Sequence, residues 1–186
     1  MNGQVAKHLF TRAEYHRMGE TGILSSSKRV ELLDGEIIEM SPIGSRHAGC
    51  VNSLNRLFSR RLAQGAIVAT QNPIVLNDYS EPQPDIALLR PRVDNYRSRH
   101  PEPADILLVV EVMDSSAIYD RGNKLNAYAN ARIAEVWLID LDSETIEAWR
   151  KPRGGKYHDV AIYRRGQRLT IAAITGKMFR VSEILG

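Results

Sequence analysis

A mixed α/β fold, a central β-sheet with helices packed against it, follows from three features of this 186-residue sequence. Apolar runs at 85–89, 106–113 and 135–140 have the length and the Leu, Ile and Val content of strands covered on both faces. Between the last two, 116–131 reads as a helix, which predicts a crossover joining two parallel strands. The C-terminal part, with runs at Glu144–Arg150, His158–Ile162 and Arg168–Ile171 and turns at Asp142-Ser143 and Gly154-Gly155, reads as an antiparallel meander.

The other elements follow in order. Thr11 and Glu14 have capping-box spacing and start a short helix running to about Met18, followed by a loop from Gly19 to Ser27. Arg29 to Met40 reads as a β-hairpin turning at Asp34-Gly35. From Ser45 to Gln64, Ala48, Val51, Leu54, Leu57, Phe58 and Leu62 recur at helical spacing, and Gly65 ends the helix. Strands are expected at Ile67–Thr70 and Ile74–Leu76, an exposed loop over Pro91–Asp105, and a last helical turn over Ser182–Leu185.

With 43% hydrophobic and 25% charged residues, the composition is that of a soluble globular protein, and the length fits one domain over residues 1–186. No apolar run reaches the ~20 residues of a membrane span, and no signal-peptide stretch opens the chain. Cys50 is the one cysteine, which excludes an internal disulfide. These features together predict a cytoplasmic protein. Cys50 falls in the apolar series of the 45–64 helix, where packing explains it better than nucleophilic chemistry. The net charge of +3 permits a nucleic-acid partner without requiring one. Basic residues concentrate at Arg90–His100 and again at Arg150–Arg168, either to neutralise phosphates or as a solvated surface.

Two acids stand out against this background. Asp85 opens one apolar strand and Glu111 lies near the end of the next, where an ionised carboxylate costs several kcal/mol unless cations or donors compensate it. Brought together on neighbouring strands, they make a hard oxygen site suited to Mg²⁺ or Mn²⁺. Alternation puts Leu107, Val109, Glu111 and Met113 on one face. In many metal-dependent nucleases a lysine stands two residues after the second acid; here that residue is Met113. Asp120, Lys124 and Tyr128 are spaced i, i+4, i+8 on the following helix, so Lys124 either reaches back over the carboxylates or forms a surface pair with Asp120.

The ordered set Glu31-Leu-Leu-Asp-Gly-Glu-Ile-Ile-Glu-Met-Ser-Pro, His47, Pro84-Asp85-Ile, Val110-Glu111-Val, Asp120-Arg-Gly-Asn-Lys124 with Tyr128, and Glu135-Val-Trp-Leu-Ile-Asp140 resembles one bacterial family. It is the family of “putative restriction endonucleases” within the PD-(D/E)XK nuclease superfamily, and the likeness runs from about Phe10 to the C-terminus. The resemblance implies a restriction-endonuclease-like mixed sheet flanked by helices and one or two divalent metals on Asp85 and Glu111. It departs from the superfamily pattern at Met113, with Lys124 as the replacement, and reads Asp114-Ser115-Ser116 where relatives carry Ser-Pro-Ser. Asp114 either adds charge near the site or caps the helix. Glu31 matches the family's hairpin acid and shares a face with Leu33, Ile38 and Met40; it belongs to the site, or pairs at an edge with Lys28 or Arg29. His47 is a weak candidate base at a helix start, and Gln83 a candidate substrate contact.

The implied activity is metal-dependent hydrolysis of DNA phosphodiesters. Asp85, Glu111 and the backbone carbonyl of Val112 would hold Mg²⁺ or Mn²⁺, Lys124 would orient the water or stabilise the transition state, and Glu31 would complete the outer shell or hold a second metal's water. The Arg90–His100 loop and the basic C-terminal hairpin would grip phosphates, and a homodimer would present two sites to a duplex. Two rival readings are a nuclease-like fold kept as a DNA-binding or assembly module, and an oligomer in which the acids form a buried ion-pair network.

Overall fold

The apolar runs at 86–89, 106–113 and 135–140 pair in the middle of one six-stranded sheet. A computed structural model of the chain describes residues 6–25, 27–113 and 120–186. In chain order the sheet strands are β3 (Ile67–Thr70), β4 (Ile86–Leu89), β5 (Ile106–Met113), β6 (Glu135–Asp140), β7 (Thr145–Arg153) and β8 (Lys156–Arg164), and they lie side by side in that order. β5 and β6 are parallel and every other neighbouring pair in this sheet is antiparallel. The parallel pair is the one joined by a helical crossover, as the run order requires. An N-terminal hairpin, β1 (Val30–Leu33) and β2 (Glu36–Glu39), turns at Asp34-Gly35, both with positive φ.

Each face of the sheet has its own core. On one side α2 (Ser45–Leu62) lays Cys50, Val51, Leu54, Phe58 and Leu62 against Ile86, Leu88, Val110, Val112, Trp137 and Ile139. Leu54 and Phe58 have no exposed surface, and burial of each contributes about 1.5–3 kcal/mol. On the other side α3 (Leu125–Asn130) packs Leu125, Tyr128 and Ala129 over Val109, Met113, Val136 and Leu138. α3 is entered through a π-turn at Asp120–Lys124, and π-turns are frequent at functional sites. The expected helix began at Ser116; its first residues, with Asp114, lie outside the described residues. The N-terminal helix α1 (Arg12–Glu20) starts at the expected Thr11–Glu14 capping box and runs two residues past Met18.

Three expectations need correction. Ile74–Leu76 joins no strand: the segment is buried, but its amides donate to Pro82, Pro101 and Ser80, which lie in neighbouring loops. The C-terminal meander has two strands in the sheet, not three. β9 (Arg168–Thr170) leaves β8 and pairs with β10 (Met178–Arg180), just before the final helix α4 (Val181–Leu185). Buried Glu135 fixes this detour by accepting from Arg150, Trp137 Nε1 and the amide of Ala172. Finally, Leu107 does not share the Glu111 face. A bulge pairs Leu89 with Ile106, and Leu107 joins the core beneath α2. Among the described residues, no helix is long and apolar enough to cross a membrane.

Candidate active site

The register of β4 on β5 pairs Ile86 with Val110 and Ala87 with Val109; continued one residue, it sets Asp85 opposite Glu111. The two acids therefore meet at the end of the sheet where the β4–β5 ladder stops. Both are buried, and the amide of Asp85 lies 3.4 Å from Glu111 Oε2.

Asp85 is held from three directions. His47 Nε2, one turn into α2, lies 2.9 Å from Oδ2, the amide of Val112 donates to Oδ2 at 2.9 Å, and Gln71 Nε2 donates to Oδ1 at 3.2 Å. Burial, the largest single influence, pushes the carboxyl pKa up. The hydrogen bond and charge of His47, then the Val112 amide and Gln71, outweigh it and hold the carboxyl below its ordinary range. Asp85 is accordingly an anion at neutral pH.

Lys124 bridges the other two acids. Its Nζ lies 3.3 Å from Glu111 Oε1 and 3.2 Å from Glu31 Oε2, and all three side chains are at least nine-tenths buried. The hydroxyl of Tyr128, one turn further along, donates to Glu111 Oε1 at 2.6 Å. The i, i+4 spacing thus delivers an ammonium and a hydroxyl to one carboxylate oxygen. Glu31 also accepts from the amide of Gln83 at 3.0 Å. Its position is the inward one; the edge pairing with Lys28 is not formed, and Lys28 instead reaches Glu39. Met113, where a strand lysine would stand, is 1% exposed and packed in the core with Tyr128 and Leu138.

Several expectations fall elsewhere. Gln83 turns its side-chain amide to the carbonyl of Val30, a structural contact. Asp114 lies outside the described residues. Cys50 is packed, with its thiol toward the carbonyl of Ile184, and burial, reinforced by the charge of Asp85, pushes its pKa up to about 12. The native protein is therefore expected to resist thiol reagents at mildly alkaline pH and to label fully in denaturant; rapid native labelling would contradict this placement. The Arg90–His100 loop joins β4 to β5 at the end of the sheet opposite Asp85 and Glu111, and the Gly154-Gly155 tip of β7–β8 is at that far end too. Glu111 stands five residues along β5 from Ile106, roughly 17 Å. Two of the loop's four arginines are also paired within it, Arg92 with Asp94 and Arg99 with Asp105. The Arg90–His100 loop does not flank the carboxylates as expected, whereas Arg164 at the end of β8 lies at the same end of the sheet as Glu111, three strands away. Gln71 went unrecognised in the sequence: its role depends on a positive φ of 52° at the end of β3, which no local pattern announces.

The donor set suits a divalent cation. Among the described residues, Glu31 and Glu111 share the Lys124 ammonium while buried Asp85, opposite Glu111, is held by His47, Gln71 and the Val112 amide, so the site is rich in hard oxygen ligands. Among the same residues, no group of three or more His, Cys, Asp or Glu side chains is placed to hold a metal ion by itself. That pattern fits Mg²⁺ or Mn²⁺, which bind through one or two carboxylates and leave their remaining positions to water and phosphate. It does not fit a structural zinc or an all-protein calcium site.

A sequence model of the Uma2 family, described as “Putative restriction endonuclease”, matches residues 12–181. The fold is similar to a crystal structure of a “putative nuclease belonging to DUF820” from Anabaena variabilis, with a TM-score of 0.72 and 12% identity over 95% of this chain and 97% of that one. At that identity the likeness is one of fold. The chain matches no curated protein sequence.

Proposed function

The chain belongs to the Uma2 family of “putative restriction endonucleases”, and we propose that it is a divalent-metal-dependent endonuclease that hydrolyses phosphodiester bonds of DNA. The observation that carries this reading is Asp85 set opposite Glu111 with the Lys124 ammonium against the second acid. The descriptions of the family and of the Anabaena variabilis protein both support nuclease chemistry.

Asp85, Glu111 and the carbonyl of Val112 would hold Mg²⁺ or Mn²⁺. The Val112 amide is turned toward Asp85, and within a strand a residue's amide and carbonyl face the same neighbour. When bound, such an ion lowers the pKa of water and offsets phosphate charge. The chain's own groups position everything else. His47, Gln71 and the Val112 amide fix the Asp85 carboxylate, and Tyr128 fixes that of Glu111. Lys124 orients the attacking water and stabilises negative charge as it builds on the phosphate. Glu31 holds Lys124 in place as an outer-shell acid. His47 acts here as a positioning residue for Asp85. A cytoplasmic homodimer would bring two such centres to the two strands of a duplex.

The test is cleavage of supercoiled plasmid with Mg²⁺, with Mn²⁺ and with chelator, by the parent and by Glu111→Gln. Ion-dependent nicking by the parent, lost in a variant with unchanged circular dichroism, is the expected result. Equal nicking by the variant would remove Glu111 from the site. DNA binding without any nicking by the parent would favour the non-catalytic binding module.

A further inference from the structure

Beyond Lys124, a further run of positive charge lies on α2, outside both basic segments that stood out in the sequence. The helix carries Arg46, Arg56, Arg60 and Arg61 and has no acidic residue over its 18 positions. Arg46, Gly49, Ser53, Arg56 and Arg60 follow one another at steps of three and four, so they form a single stripe along one face. Two adjoining open cavities run along this stripe and share Ser53. The first, of 380 Å³, is lined by Arg46 and Gly49, and the second, of 370 Å³, by Arg56 and Arg60.

The acids on the rim are already matched by arginines. Asp142 pairs with Arg46, Glu144 with Arg165 and Glu183 with Arg61. Arg56 and Arg60 are exposed and form no ion pair among the described residues, which leaves the second cavity cationic. The N-terminal end of α2 lies beside the active site, where His47 contacts Asp85, and the arginine stripe begins at the neighbouring Arg46 on the helix face turned away from the sheet. From Arg46 to Arg60 the helix rises about 21 Å, which along B-form DNA spans about six phosphates of one strand.

We propose that this face of α2 is the track on which the phosphodiester backbone of the substrate nucleic acid lies beyond the scissile position. The proposal rests on the nuclease reading of the Asp85–Glu111 site and adds where the polymer runs. Arg56 and Arg60 bind phosphates without reading sequence, while Gly49 and Ser53 leave the space in which the backbone lies. An added Cβ at Gly49 meets nothing within 4 Å, so a larger side chain there enters the groove without disturbing the fold.

Three proteins decide it: the parent, Arg56→Ala/Arg60→Ala, and Gly49→Glu. Binding of a fluorescein-labelled duplex is followed by anisotropy in chelator across a salt series. Cleavage with Mn²⁺ is then measured on that duplex and on bis(p-nitrophenyl) phosphate, a diester with no polymer attached. The double variant should bind more weakly on every duplex sequence, and the slope of log K against log salt should fall by about 2. Its KM for duplex should rise while its turnover of the small diester stays at the parental value, and Gly49→Glu should weaken duplex binding in the same way. Duplex binding and salt slope equal to the parent's in both variants would overturn the track, as would parallel loss of small-diester turnover. Arginine-dependent binding by a parent that cleaves neither substrate would uphold the track and remove the nuclease reading instead.

Discussion

Lys124→Met is expected to destabilise the protein by about 3–5 kcal/mol and to lower cleavage by at least about 10²-fold. Methionine keeps the length and apolar stem of the side chain but removes the ammonium from between Glu31 and Glu111, which are 1% and 3% exposed. Two buried carboxylates then share a site without their common counter-charge, the costly state of a buried ion pair that has lost one partner. The deficit should appear in urea melts at neutral pH. Adding Glu31→Gln to Lys124→Met should recover part of the stability without restoring cleavage. A Lys124→Met protein as stable as the parent at neutral pH would show that this ammonium is not the counter-charge of the cluster.

Asp85→Asn should do the reverse, abolishing ion-dependent cleavage while leaving the fold standing. The amide oxygen of asparagine still accepts from Val112 or Gln71, and the cost of burying an anion disappears. What is lost is the hard, negatively charged oxygen that a divalent ion requires. Because the native carboxyl lies below its ordinary value of 3.8, its contribution to stability is fully present above that pH and fades only as pH falls through the lower native value. The stability difference between parent and variant should thus be flat across neutral pH and close in strong acid. Cleavage by Asp85→Asn at the parental rate would take Asp85 out of the reaction.

The sheet could be read from sequence because its central strands bury both faces, and a Leu-, Ile- and Val-rich run such as Ile106–Met113 fits little besides a covered strand. The antiparallel register then follows closely enough to place Asp85 against Glu111. Ile74–Leu76 shows the limit: its apolar residues are buried as expected, yet burial does not say where an amide finds its acceptor, and here the acceptors lie in loops. β9 misled for a related reason, since a three-residue strand has no pattern strong enough to choose between β8 and a partner still to come. Charge was the least legible. Arg92 and Arg99 attract attention as part of a cluster, but Asp94 and Asp105 neutralise them within the same loop. The arginines of α2, spaced among apolar residues, form their stripe only once the helix is wound.

With the side chain of Met113 fixed among Tyr128 and Leu138, a lysine placed at that strand position would bring a second buried positive charge to acids that Lys124 already serves. The ammonium of this cluster thus comes from the start of a crossover helix rather than from the strand. A chain in which that helix has yet to dock would already hold both acids but lack their ammonium, so competence to react should arrive as one of the last events of folding.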